Sequence, residues 1–121
     1  MVADLDRLPC VALAFSDEGR LLSANRRAGE MLGHGPGELA GLGLDAVLPP
    51  AVRIYFQTHV RPLLKLDGRV EELYCTLRPR SGPDLPVLAN LVRHAGDGAT
   101  VNMLAALPMH RRAEFEQRLI A

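Results

Sequence analysis

A chain of 121 residues, 48% of them apolar and 23% charged, is long enough for one well-filled core and too short for two. Fourteen basic residues cancel fourteen acidic ones, so the basic surplus that marks most nucleic-acid binders is missing. Three Phe, two Tyr and no Trp are also too few for a base-stacking platform. No nucleic-acid partner is expected.

The opening residues, Met1 to Pro9, carry Asp4 and Asp6 and no long apolar stretch, so they do not read as a secretory leader. No window approaches the ~18 uncharged apolar residues that a membrane-crossing helix needs. A cytoplasmic, membrane-free protein is the expectation. In that compartment Cys10 and Cys75 are expected as two buried thiols rather than a bridge. His34, His59, His94 and His110 are scattered without metal-ligand spacing.

Taken in order, Val2, Leu5 and Leu8 share a helical stripe that Pro9 stops, giving a short lead-in over residues 1–9. Val11, Leu13 and Phe15 then alternate with Ala12, Ala14 and Ser16 as a strand. Asp17-Glu18-Gly19-Arg20 is turn chemistry with Gly19 at positive φ, and Leu21–Ala24 returns as the second arm of a hairpin. Asn25 reads as the N-cap of a helix carrying Ala28, Met31 and Leu32, and Gly33 ends it. Short helical turns are expected at Glu38–Ala40 and Leu44–Leu48 before Pro49-Pro50.

Residues 51–65 carry the clearest helical period, with Val52, Tyr55, Phe56, His59, Val60 and Leu63 on the apolar side and Arg53, Gln57 and Arg61 outward. Pro62 cannot donate to the carbonyl of Thr58, so a kink or a loosened turn is expected there. Three strands follow. Arg69–Arg78 places Leu73, Cys75 and Leu77 on one face and Val70, Glu72, Tyr74 and Thr76 on the other. Leu85–His94 and Ala99–Leu107 come next, with turns at Ser81–Asp84 and Ala95–Gly98. Pro108 is expected to start a final polar helix over His110–Ala121. The last two strands are apolar on both faces, which predicts that something beyond the helical layer covers the second face. The fold class is α+β, an antiparallel sheet with helices gathered on one face.

Chemistry-bearing constellations are absent from the sequence. Gly41-Leu-Gly-Leu-Asp-Ala matches a dinucleotide fingerprint only in its letters, because no strand precedes it and Pro49 cuts off the helix that should follow. Glu71 and Glu72, as strand neighbours, point to opposite faces and cannot act as a carboxylate pair. No nucleophile has a partner that would activate it, and no enzyme activity is expected. His59 stands out because an imidazole on an apolar face needs a hydrogen-bond partner. Its plainer reading is a core histidine satisfied by a backbone carbonyl, Tyr74, Asn90 or Asn102.

The arrangement resembles a PAS domain, the sensory module of bacterial signalling proteins, over residues 10–108. The residues that carry the likeness are Asp17 and Gly19 in the hairpin turn, Asn25, Ala28, Leu32 and Gly33 in the first helix, and Glu38, Leu39 and Gly41 after it. Leu48-Pro49-Pro50 before the long helix, Gly68-Arg69-Val70-Glu71-Glu72, Arg80-Ser81-Gly82 and Leu85-Pro86-Val87 complete the set. The resemblance implies a five-stranded sheet of order 2-1-5-4-3 with a cavity between the sheet and the long helix. It also implies a homodimeric sensor that binds a small apolar ligand or a partner surface. Such modules relay a signal to a histidine kinase, phosphatase or diguanylate cyclase, here through a linker helix at 109–121. A ligand in that cavity would meet Tyr55, His59, Leu63, Leu73, Cys75 and Asn90. The alternative is a ligand-free interaction and dimerisation domain whose core is filled by its own side chains.

No cofactor is named by these residues. The flavin photoreceptors of the family carry a reactive cysteine where this chain has Gly41–Ala46, so adduct chemistry is not carried over. The haem members' histidine falls on Gln57, two residues before His59, and two residues turn a helical side chain by ~200°.

Overall fold

The computed structural model describes residues 4–96 and 98–109. The expected final helix at 110–121 lies outside these residues, as do residues 1–3 of the lead-in. Five strands, β1 (Val11–Phe15), β2 (Leu21–Ala24), β3 (Arg69–Leu77), β4 (Leu85–Ala95) and β5 (Thr100–Pro108), form one sheet of order β2-β1-β5-β4-β3. Each pairing is antiparallel. Pro108, expected to open a helix, is the last residue of β5.

Between the hairpin and the last three strands lie α1 (Arg26–Leu32), a 3-10 turn (Leu44–Val47) and a long helix in three parts. These parts are α2 (Pro50–Tyr55), a π-helical segment (Phe56–Val60) and α3 (Arg61–Asp67). The turn expected at Glu38–Ala40 is irregular rather than helical. The lead-in is a single 3-10 turn, Leu5–Arg7, capped by the Asp4 side chain.

Asn25 does more than cap. Its Oδ1 accepts from the Ala28 and Ala12 amides, both at 3.0 Å, while its Nδ2 donates to the Leu5 and Cys10 carbonyls at 3.0 and 2.9 Å. The side chain is buried and its main donors and acceptor are used, so it fastens the lead-in, β1 and α1 together. Gly33 closes α1 in the left-handed region, at φ 77°.

The long helix buries only part of the stripe its period suggests: Phe56 and Val60 face the core, whereas Tyr55, His59 and Leu63 do not, and Leu64 takes the third place. Phe56, Val60 and Leu64 are each 1% exposed, at strict four-residue spacing. In a regular α-helix an i+4 neighbour drifts about 40° around the axis. The wider π-helical turn, where the Arg61 amide donates to the Phe56 carbonyl, takes up that drift and keeps the three in line. The same widening answers Pro62, whose ring would press on the carbonyl of Thr58 in an unbroken α-helix. The irregularity expected at Pro62 therefore lies in the turn just before it.

A second departure sits in β3. The register with β4 slips between Val70 and Leu73, and Glu72 adopts φ 55°. This β-bulge inserts one residue, so Val70 joins Leu73 and Cys75 against the core instead of opposing them. The amide of Glu72 donates to Oδ1 of Asn90 at 2.8 Å.

Candidate functional site

The space between the long helix and the concave side of the sheet is where a ligand was expected. Phe15, Phe56, Leu64, Leu77, Leu91 and Leu104 occupy it, each at most 2% exposed. They form one continuous cluster with the side chains of α1 and the 3-10 turn. The gap bounded by Phe15, Leu64, Arg61 and Asn102 measures about 10 Å³, no more than one water needs.

The six expected lining residues do not converge there. Tyr55 and Leu63 are 45% and 42% exposed, and His59 is exposed with them on the solvent side of the helix. Tyr55 and His59 stack with ring centroids 4.9 Å apart. The partner of His59 is neither Tyr74, Asn90 nor Asn102 but its neighbour, whose Thr58 Oγ1 lies 2.8 Å from Nδ1. Leu73 and Cys75 are half-buried against the core. Burial pushes the Cys75 thiol up to about 11, so it is protonated and a poor nucleophile near neutral pH. Asn90 lies on the far face of β4, since the buried residues of that strand are Leu85, Val87, Ala89 and Leu91.

The structure assembles a polar group that the spacing of the sequence does not disclose. Asp17, in the hairpin turn, receives two hydrogen bonds from the Arg93 guanidinium, 3.3 and 2.8 Å, and one from Asn102 Nδ2 at 3.0 Å. Asn102 also donates to the Phe15 carbonyl at 3.2 Å. Arg61, expected to face outward, turns inward and donates to the Asp17 carbonyl. The bonds from Arg93 and Asn102, helped by the nearby positive charge of Lys65, hold the Asp17 carboxyl down to about 2. Four elements meet in this clasp: the hairpin turn, α3, β4 and β5. Gly19 belongs to it too. A β-carbon there would stand 3.2 Å from an Arg61 nitrogen, and φ is 85°. Arg93 is further tied to the end of the long helix by its amide, which donates to the Gly68 carbonyl at 2.8 Å.

The face of the sheet away from the helices is the other unusual surface. Alternate residues of β5 and β4, among them Met103, Ala105, Leu107, Leu88 and Val92, lie on it together with Tyr74 of β3. Met103, Leu107 and Tyr74 are 37%, 53% and 64% exposed.

Comparison with known proteins agrees with this architecture. The family model PAS_4, described as PAS fold, matches residues 5–107. The chain belongs to the PAS fold family. This PAS domain is 34% identical over 120 residues to the phosphoserine phosphatase RsbP of Bacillus subtilis strain 168, an alignment covering 99% of this chain and 30% of RsbP. It thus spans under a third of that relative's length. Among solved structures it superposes on a PAS domain of a protein from Colwellia psychrerythraea with TM-score 0.79 at 10% identity, covering 88% of this chain and 91% of that one. A PAS domain from a two-component sensor histidine kinase superposes with TM-score 0.73 at 12% identity, covering 86% and 88%. The LOV protein of Rhodobacter sphaeroides superposes with TM-score 0.71 at 15% identity, covering 88% and 62%. At these identities the superpositions establish the fold alone.

Among the described residues no helix is long and apolar enough to cross a membrane. Cys10 and Cys75 are both free and half-buried.

Proposed function

We propose that this PAS domain is a non-catalytic regulatory module that acts through its surfaces. Two copies pair across the outer sheet face, and a change in that pairing governs an effector. The observation that carries this reading is the filled interior. A ligand between helix and sheet would have to displace Phe56, Val60 or Leu104, at a cost of several kcal/mol of core packing. The alternative drawn from the sequence, a self-filled interaction domain, is therefore the reading we favour over an internal ligand sensor.

The outer face supports the same reading. An antiparallel sheet that met water on one side would alternate apolar with polar residues, whereas here Leu88, Val92, Met103, Ala105 and Leu107 surround the one polar side chain among them, Asn90. A contiguous apolar patch of this kind is the usual mark of a protein contact. The Asp17 clasp supplies a route from that face to the long helix, since Arg93 and Asn102 stand on the two strands that present it. The relation to RsbP makes a phosphatase the effector we favour. Signalling is then a shift between two pairings, which any signal must contact differently. Two free thiols fit a reducing compartment, the cytoplasm.

Light-scattering mass tests the pairing. The chain should run as two copies, and Met103→Glu with Leu107→Glu should run as one with an unchanged circular dichroism spectrum. A single-copy mass for the unaltered chain at every concentration tried would overturn the reading.

A further inference from the structure

Strand β3 ends the sheet on one side, and part of its free edge is unguarded. The direction of its backbone groups follows from Pro86 in β4. The Met109 amide donates to the Pro86 carbonyl at 2.9 Å, so Pro86 faces β5 and its alternates Leu85, Val87 and Ala89 face β3. Those three stand opposite Leu77, Cys75 and Leu73, whose N–H and C=O groups are used in the ladder. Tyr74 and Thr76, lying between, turn theirs to the open side. Among the described residues no other group takes them.

The rest of the edge is closed. At one end the β-bulge and the charged run of Arg69, Glu71 and Glu72 disrupt regular pairing, and the Glu72 amide is held by Asn90. At the other end the Arg78 amide donates to the Val47 carbonyl at 2.7 Å. The span Leu73–Leu77, without charge or proline, is left open.

We propose that this span pairs antiparallel with the same span of a second copy, about a two-fold axis at Cys75. That register sets Tyr74 of each chain against Thr76 of the other, so every free backbone group on both edges is used, in four hydrogen bonds. Centring on Tyr74 would call on Glu72, whose amide Asn90 holds, and centring on Thr76 would call on Arg78, whose amide Val47 holds. Either shift loses bonds at both ends. Leu73 meets Leu77 across the join, and no like charges are opposed within it. The helix layers of the two copies come to lie on one side of the joined sheet. Arg61 reaches the hairpin turn from one flank of the long helix, so the exposed Tyr55, His59 and Leu63 stand on the opposite flank, toward the join. Four bonds over so short an edge make a weak contact, with a dissociation constant of about 1 mM. It is separate from the pairing across the outer face and links those pairs where the protein is concentrated. In dilute solution the mass stays that of the pair.

The test uses the full chain carrying Cys10→Ser, which leaves Cys75 as its one thiol. Edge pairing brings the two Cys75 α-carbons to roughly 4.5 Å, within disulfide reach. Pairing across the outer face does not, because Cys75 packs toward the core on the other side of the sheet. At about 1 mM protein, oxidation by copper-phenanthroline in air should yield a covalent pair joined at Cys75, and Met103→Glu with Leu107→Glu should keep it. Tyr74→Lys with Thr76→Lys, both outside the core, sets like charges opposite each other and should lower the yield about fivefold or more. Tyr74→Glu with Thr76→Glu should do the same, and mixing the lysine and glutamate chains should restore the yield. No covalent pair, a yield indifferent to these charges, or loss of the pair in the outer-face variant would overturn the proposal.

Discussion

Two rows of side chains run side by side along the same long helix and meet opposite fates. Phe56, Val60 and Leu64 are sealed against the sheet, while Tyr55, His59 and Leu63 stand in water. Both rows are spaced by four, and the buried one is the wholly apolar one, whereas Tyr55 and His59 carry a hydroxyl and an imidazole that favour water. Helical geometry aligns the buried row. The π-helical turn at 56–60 straightens a four-residue row that an α-helix would wind around its axis. The general lesson is that the more apolar of two adjacent rows becomes core, and that one irregular turn lets it stay in line along the sheet.

The contrast is broken most forcefully at Phe56. Phe56→Ala should cost about 3–5 kcal/mol in urea unfolding, the usual price of an emptied aromatic core site. A loss near zero would mean that the buried row is misassigned. Next in size is Asn25→Ala, which strands the Ala12 amide and the Leu5 and Cys10 carbonyls and removes the cap of α1. About 2–3 kcal/mol is expected by the same measurement.

These two residues also show what could be read from the chain before its structure. Asn25 and Gly33 announced the limits of α1 because caps act over three or four neighbouring residues. The hairpin around Gly19 was legible for the same reason. The antiparallel sheet followed from the order of strands and helices along the chain, and the strand order from the family likeness. By contrast the facing of the long helix depended on a turn type that no single residue encodes. Pro62 pointed to an irregularity without saying how the row would rotate. The bulge at Glu72 was hidden because a residue other than glycine takes the positive φ, held by Asn90 across the ladder. Asp17 finds Arg93 and Asn102 at separations of 76 and 85 residues, so the clasp exists only once the strand register is set. Expecting Arg61 outward followed from the same mistaken rotation.

The clasp offers the third test. A carboxyl held near 2 against an ordinary 3.8 contributes stability that is fully present above the unfolded value and is lost as pH falls through the folded one. With the side chain 26% exposed, solvent screening leaves about 1–2 kcal/mol. Asp17→Asn should therefore flatten the slope of stability between about pH 4 and pH 2. An unchanged slope would show that the ion pair contributes nothing. The smallest effect is expected on the wet row, where Leu63→Ala should change stability by no more than about 0.5 kcal/mol. A loss approaching that of Phe56→Ala would erase the distinction between the rows.

The central claim, that the interior between helix and sheet is filled by the domain's own side chains, is tested most directly with dissolved xenon, which enters dry apolar cavities and leaves packed cores alone. Methyl resonances of Val60, Leu64 and Leu104, followed as xenon pressure rises, should show no saturable shift. A saturable shift centred on those three methyls would reveal an empty chamber and contradict the account.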